Sequence, residues 1–460
     1  MLLDDVFERF ARDCPLPVMV RGLLENTLTP RSVDELFENV AQRQYTRTLL
    51  FSSVVDLMGL VVTGVRPAVN AAYHARAETI PVALKSVYNK LDNVEPDISA
   101  ALVRTTAQRL EAVVTATQGA LPPLLPGYRV KILDGNHLAS TEHRLKELRT
   151  IRAGALPGQA LVVLDPSLML AIDVILCEDG HAQERSLLGQ VLETVRAKDV
   201  WIDDRNFCTT MFLFGIARRE AFFVVRQHAS TLFWEFAGKR RACGRVDTGK
   251  VFEQTVRLRN PDTDEVVFAR RITVVLDKPT RDGDAEIHIL SNLPAKDAKA
   301  KTIADLYRKR WTIETAFQEM EATLNGEINT LGYPKAALFA FCVALVSYNL
   351  MSVVKAALRA AHGAETVEEK VSGYYLADEI TMTHRGMMIA IPEDEWTVFH
   401  DLTPTEMATV LVDLARNVRL SLYPKQKRGP KKPKPVKESG AKIKHVATAR
   451  ILNARHKRTQ

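Results

Sequence analysis

The chain is poor in several things that would each point to a function class, and the absences narrow the field. Its five cysteines, Cys14, Cys177, Cys208, Cys243 and Cys342, are scattered over 460 residues with no CxxC or other metal-binding spacing. That argues against a zinc module or a disulfide framework and points to a reducing compartment. There is no internal repeat. The opening MLLDDVFERF puts acids where a secretory signal needs a basic segment ahead of an apolar run, so the expectation is a cytoplasmic protein. Long apolar runs are also missing, with one exception at 336–354. That stretch has the minimum length for a membrane span, but it contains Ser347, Tyr348 and Asn349 and closely follows a charged helix. It reads as a buried core helix, and no membrane partner is expected.

What is present is a 46% hydrophobic chain long enough for two or three domains with a sizeable core. The formal net charge of +7 is unevenly spread. Residues 424–460 carry thirteen Lys/Arg against the single acid Glu438, so this segment is +12 and the body is left at −5. Rich in Lys and Pro, 424–460 reads as a disordered basic tail.

Residues 1–120 read as helical throughout, and 121–127, Leu-Pro-Pro-Leu-Leu-Pro-Gly, break the pattern. From 125 to 360 the pattern is α/β: strands at 128–133, 160–164 and 169–177, a helix at 181–197, a strand at 200–202, a helix at 209–218 and a strand at 221–226. Within it, 228–296 loses helical character and reads as a β-rich insertion. Residues 361–423 return to helices. One of them is announced by Thr403-Pro404-Thr405-Glu406, a capping box with proline at the first helical position.

The stretch 306–324 predicts one uninterrupted helix. Tyr307, Arg310, Glu314 and Glu321 stand at offsets of 3, 7 and 14, which places them within roughly 60° of one face. Ile313, Phe317, Met320 and Leu324 form the neighbouring apolar stripe. A solvated charged face is the plainer interpretation of such a helix. Two further carboxylates follow strand signals: Asp134 after Val130-Lys131-Ile132-Leu133, and Asp204 after Trp201-Ile202-Asp203. In α/β sheets the carboxyl edge is where ligands bind. With Glu314 they make three hard oxygen donors, a set suited to Mg²⁺ or Mn²⁺, and a pair of such ions can drive in-line phosphoryl displacement. Asp165, Asp173, Asp199 and Asp203 also flank strands, so spacing alone leaves the choice open.

These segments together resemble a known family. Tyr307-Arg308-Lys309-Arg310-Trp311-Thr312-Ile313-Glu314 is similar to the Tyr-x2-Arg-x3-Glu-x6-Lys signature of bacterial insertion-sequence transposases of the insertion-sequence-four family. Asp134-Gly135-Asn136-His137-Leu138 resembles that family's first-aspartate motif, and Asp204-Arg205-Asn206-Phe207 its second. The resemblance covers about 125–360. It implies a ribonuclease-H-like catalytic core with the β insertion ahead of the glutamate helix, and Asp134, Asp204 and Glu314 as catalytic ligands of two Mg²⁺ or Mn²⁺ ions. It also implies Tyr307 and Arg310 at a DNA phosphate, double-stranded element ends and target DNA as partners, and a homodimer working on paired ends. The family's lysine falls at 321, where this chain has Glu321, which would repel phosphate. A nuclease without strand transfer, or a transposase-derived DNA-binding protein, are the alternatives.

Weaker features have plainer readings beside them. Residues 80–91 could be a recognition helix or the surface helix of a bundle. Trp234 could stack on a flipped base or simply pack. His137 and His143 could assist the chemistry or serve as structural hydrogen-bonding residues. In the tail, Lys427, Arg428, Lys431 and Lys432 read as a non-specific DNA-binding arm, with a solvated tail as the alternative.

Overall fold

The change of periodicity near residue 120 is where the chain leaves helices for a sheet. The computed structural model describes residues 5–46, 48–228, 230–280, 283–426 and 444–459. Seven helices come first: α1 Asp5–Asp13, α2 Pro15–Thr27, α3 Pro30–Val40, α4 Phe51–Val62, α5 Val69–Ala75, α6 Leu84–Leu91 and α7 Pro96–Thr117. Local chemistry fixes their ends. Proline opens α2, α3 and α7, where its missing N–H is no loss, and the Thr29 side chain caps α3 by accepting from the Ser32 N–H. The helix at 80–91 is the short α6, with Val87 and Leu91 turned into the core.

The sheet begins with β1 Arg129–His137, β2 Gly154–Leu156, β3 Gln159–Asp165 and β4 Leu170–Cys177. After α8 Leu188–Thr194 come β5 Asp199–Asp203, α9 Thr210–Arg218 and β6 Phe222–Arg226. Then follow β7 Phe233–Phe236, β8 Arg241–Val246, β9 Gly249–Arg259, β10 Val266–Leu276 and β11 Glu286–Ser291. One mixed sheet runs β4-β3-β1-β5-β6-β11-β10-β9-β7, with β8 also pairing β9. β3 pairs antiparallel with both β1 and β4, whereas β5 and β6 run parallel to β1. The β-rich 228–296 segment is therefore continuous with the main sheet: β11 pairs antiparallel with β6. The helix expected over 181–197 is shorter, a 3-10 turn at Glu184–Leu187 running into α8.

The remaining helices are α10 Ala300–Arg308, α11 Trp311–Thr323, α12 Pro334–His362, α13 Ala364–Lys370, α14 Gly373–Ala390 and α15 Pro404–Arg416. A strand β12 His445–Ala447 and a helix α16 Thr448–Thr459 follow. The reciprocal capping box at Thr403 and Glu406 forms as its sequence specifies. α12 has the length and composition of a membrane span, yet 94% of its apolar window is buried inside the protein. Its polar Asn349 is explained by the sheet beside it. The side-chain amide accepts from the Ala171 N–H at 2.8 Å and donates to the Ala171 carbonyl at 2.9 Å, where the β3–β4 register shifts and leaves backbone groups to satisfy. The N-terminal helices share their core with α12 and with the sheet, rather than standing apart as a separate unit.

Two expectations need correction. The stretch 306–324 is two helices, because the chain turns at Lys309–Arg310. There the backbone bonds tighten to i→i+3, Arg310 N to Tyr307 O at 3.0 Å and Thr312 N to Lys309 O at 2.9 Å. A single-face projection therefore fails across this point, and Glu321 ends up exposed on α11. The second correction concerns 424–460, read as disordered. Its described end, 444–459, is ordered: β12 pairs parallel with β2, and α16 follows. Averaging the charge over the whole segment hid a small apolar run, in which Ala447, Thr448 and Ala449 are buried.

Candidate active site

Asp134 lies inside β1, not at its end, because pairing with β3 continues past it to His137↔Gln159. β1 and β5 run parallel, with Leu133 beside Asp203, so Asp204 emerges next to Asp134 at the carboxyl edge of the two strands. The α10–α11 turn then brings the third segment in. The Tyr307 hydroxyl donates to Asp204 Oδ1 at 3.4 Å, and Arg310 Nη1 reaches Asp134 Oδ2 at 3.5 Å. Arg310 Nη2 meets Glu314 Oε1 at 2.7 Å. All five residues singled out from the sequence for the core thus converge, with Arg310 as the bridge. Arg310 is only 8% exposed, and its Nε lacks a hydrogen-bond partner.

The electrostatics follow from this crowding. Burial is the largest influence on Asp134 and pushes its carboxyl up to about 6; Arg310 and the Gly135 N–H oppose the rise, and Glu314 and Asp204 add to it. Burial, together with Asp204, pushes the Tyr307 phenol up to about 12, so it remains a proton donor to Asp204. Three carboxylates without a competing thiolate or imidazole are the donor chemistry of Mg²⁺ or Mn²⁺. The spacing does not match that chemistry here: among the described residues no three His, Cys, Asp or Glu side chains stand close enough to hold an ion, and the guanidinium lies between Asp134 and Glu314. A divalent cation held by Asp134 and Glu314 would have to take the place of the Arg310 guanidinium between them.

Around the carboxylates lies a layer of residues that the sequence reading missed. Glu184, from the turn before α8, accepts from the Asn206 side-chain amide and approaches His137 Nδ1 at 3.7 Å. Its Oε1 lies against the space a Cβ on Gly135 would fill, so a larger residue there would push the flexible Glu184 side chain aside. Arg185 donates to the Asn206 carbonyl at 2.8 Å. Glu327 accepts from the Asn136 amide at 3.3 Å and from the Ala139 N–H at 2.8 Å, tying the first aspartate motif to the loop beyond α11. Nothing in the sequence marked Glu184 or Glu327, since both reach the site only through folding. Asp203 is fully buried with neither oxygen hydrogen-bonded, and burial, then Asp134 and Asp204, raise its carboxyl well above the usual range.

The weaker candidates fall into place. His143 Nε2 sits 3.0 Å from the Ala153 carbonyl, a structural contact. Trp234 is half-buried, packed 5.0 Å from Phe236 with the Arg271 guanidinium 5.3 Å from its ring. Lys427, Arg428, Lys431 and Lys432 lie outside the described residues.

Comparison with known proteins gives the following. The transposase DDE domain matches residues 126–350. The putative transposase InsL for insertion sequence element IS186A of Escherichia coli (strain K12) is 24% identical over 247 residues, covering 47% of this chain and 63% of the relative. The transposase for insertion sequence element IS421 of Escherichia coli is likewise 24% identical over 247 residues. The chain thus spans less than two thirds of the length of these curated relatives, at 63%. Among solved structures, a piggyBac transposase synaptic complex with hairpin DNA aligns with a TM-score of 0.40 and 11% identity, over 86% of this chain and 87% of that one.

Proposed function

Residues 126–350 belong to the transposase DDE domain family, and on that premise we propose that this protein binds the terminal inverted repeats of an insertion sequence, cuts DNA there and joins the ends to a target. The observation that carries the reading is the meeting of Asp134, Asp204 and Glu314 with Tyr307 and Arg310 at one sheet edge. The antiparallel β1, β3 and β4 followed by the parallel β5 and β6, with the aspartates on β1 and just past β5, support a ribonuclease-H-like core. The motif spacing supports membership of the insertion-sequence-four family. A dimer on paired ends and a cytoplasmic site of action beside the nucleoid belong to the same proposal.

In this reading Asp134, Asp204 and Glu314 would hold two Mg²⁺ or Mn²⁺ ions, which would supply Lewis acidity for the phosphoryl displacement. The chain's own residues do the positioning. The Tyr307 phenol holds the Asp204 carboxylate in one orientation by donating to it. Arg310 neutralises Asp134 and Glu314 until DNA arrives. Its planar, permanently charged fork can then turn to a phosphate beside the reacting strand. Glu321, where the family signature has lysine, makes no such contact and leaves phosphate binding at this face to Arg310.

The test is incubation with Mg²⁺ and a plasmid carrying the protein's own element ends, followed by mapping of products. Cleaved and joined ends are expected from the wild type. Asp134→Ala, Asp204→Ala and Glu314→Ala should each bind ends and release none, because one missing ligand disables the ion pair but leaves phosphate contacts elsewhere intact. Cleavage without joining would reduce the protein to a nuclease, and cleavage by any of the three variants would remove that residue from the site.

A further inference from the structure

The ordered end of the basic segment brings two parts of the chain, some 300 positions apart in sequence, into one charged surface. β12 zips in parallel onto β2, with His445 beside Gly154 and Ala447 beside Leu156, and the Gly154 N–H donates to the Lys444 carbonyl at 2.9 Å. This anchors α16 against the loop 138–153, which leaves the carboxyl end of β1 just beyond Asp134. α16 also reaches across the sheet edge. Arg450 Nε pairs with Asp179 Oδ2 at 2.8 Å, and Asp179 follows β4, whose direction matches that of β1.

Charge is distributed unevenly over this surface. Three of the nearby acids are already bound to an arginine, Glu142 to Arg144, Glu147 to Arg455 and Asp179 to Arg450, and a fourth, Glu327, is occupied by the Asn136 amide and the Ala139 N–H. Lys146, Arg149, Arg152, Lys444 and Lys457 are exposed and make no ion pair among the described residues. Five open cations on one ordered surface, against a single nearby acid, Glu327, that no arginine pairs, repel one another and attract a polyanion.

We infer that the loop after β1 and the docked strand-helix 444–459 together form a track for the phosphate backbone of duplex DNA, leading it to the carboxylate edge. The inference rests on DNA being the substrate and adds where the duplex runs. Because β12 fixes α16 in place, the cations of both segments present a stable row, so the surface contributes to orientation as well as to non-specific attraction.

The experiment measures binding of the full chain to a short duplex of unrelated sequence across a salt series. Two variants are compared with the wild type: one carrying Lys146→Gln, Arg149→Gln and Arg152→Gln, the other Lys444→Gln and Lys457→Gln. Each phosphate contact contributes about 0.9 to the slope of log affinity against log salt, so the slope should flatten by about 3 in the first variant and about 2 in the second, with both effects adding in the combination. Thermal melting should be unchanged, because all five side chains are exposed. Weaker binding with an unaltered slope, or no change at all, overturns the track while leaving the transposase reading standing. A wild type that binds no duplex at any salt concentration overturns both.

Discussion

Replacing Asp134 by asparagine should make the protein more stable while leaving it unable to cleave DNA. Asparagine is close in shape to the protonated acid, so the substitution removes the charge and keeps the volume. The folded protein raises this carboxyl from 3.8 to about 6, which corresponds to about 3 kcal/mol of destabilisation when the group is ionised. The sign sets the pH window. Below 3.8 the acid is protonated in both folded and unfolded chains, and wild type and variant should be alike. As pH rises from 3.8 through about 6, the folded state holds the proton that the unfolded chain releases, so wild-type stability falls while the variant's does not. Above about 6 the full difference is present, about 3 °C in melting temperature if a chain of this length melts as one unit. Thermal melting of both proteins from acid to neutral pH is the assay, repeated with Mg²⁺, which should raise the wild-type midpoint and leave that of the variant nearly unmoved. A variant that melts at or below the wild type at neutral pH, or an advantage that does not vary with pH, would refute the idea that Asp134 is a crowded, buried anion awaiting a cation.

Other outcomes follow from particular contacts. Gly135→Ala should slow cleavage only modestly, since the Glu184 carboxylate its Cβ would meet ends a flexible side chain that can swing aside; a tenfold or greater loss that adding Glu184→Ala restores would show that the carboxylate cannot yield. Asp203→Asn should cleave normally while Asp204→Asn does not, because neither Asp203 oxygen holds a partner; the reverse pattern in a cleavage assay would reassign the second carboxylate. Asn349→Leu should lower stability in denaturant titration by about 2–5 kcal/mol, leaving the Ala171 N–H and carbonyl both unpaired in the core, and an unchanged midpoint would show that another group replaces the amide. Arg310→Ala should impair joining more than overall DNA affinity, since one guanidinium sets the reacting geometry while many contacts supply binding; equal losses in both assays would make Arg310 an ordinary binding residue.

The sequence by itself determined the things that depend on short-range order. Periodicity separated the helices of 1–120 from the strands that follow, proline and threonine marked helix starts, and the aspartate and Tyr-Arg-Glu motifs named the five residues that meet at the sheet edge. Apolar composition with embedded Ser347, Tyr348 and Asn349 was enough to describe α12 as a core helix. What only the tertiary structure decided is whatever depends on distant partners. The break between α10 and α11 arises at the turn where buried Arg310 reaches Asp134 on β1 as well as Glu314 in the first turn of α11. Glu184 and Glu327 became part of the site through contacts 22 and 191 residues away in sequence. The basic end of the chain read as disordered because composition is an average. A run as short as His445–Ala447 gains order only when β2 supplies the missing backbone partners, and no local pattern in either segment announces the other.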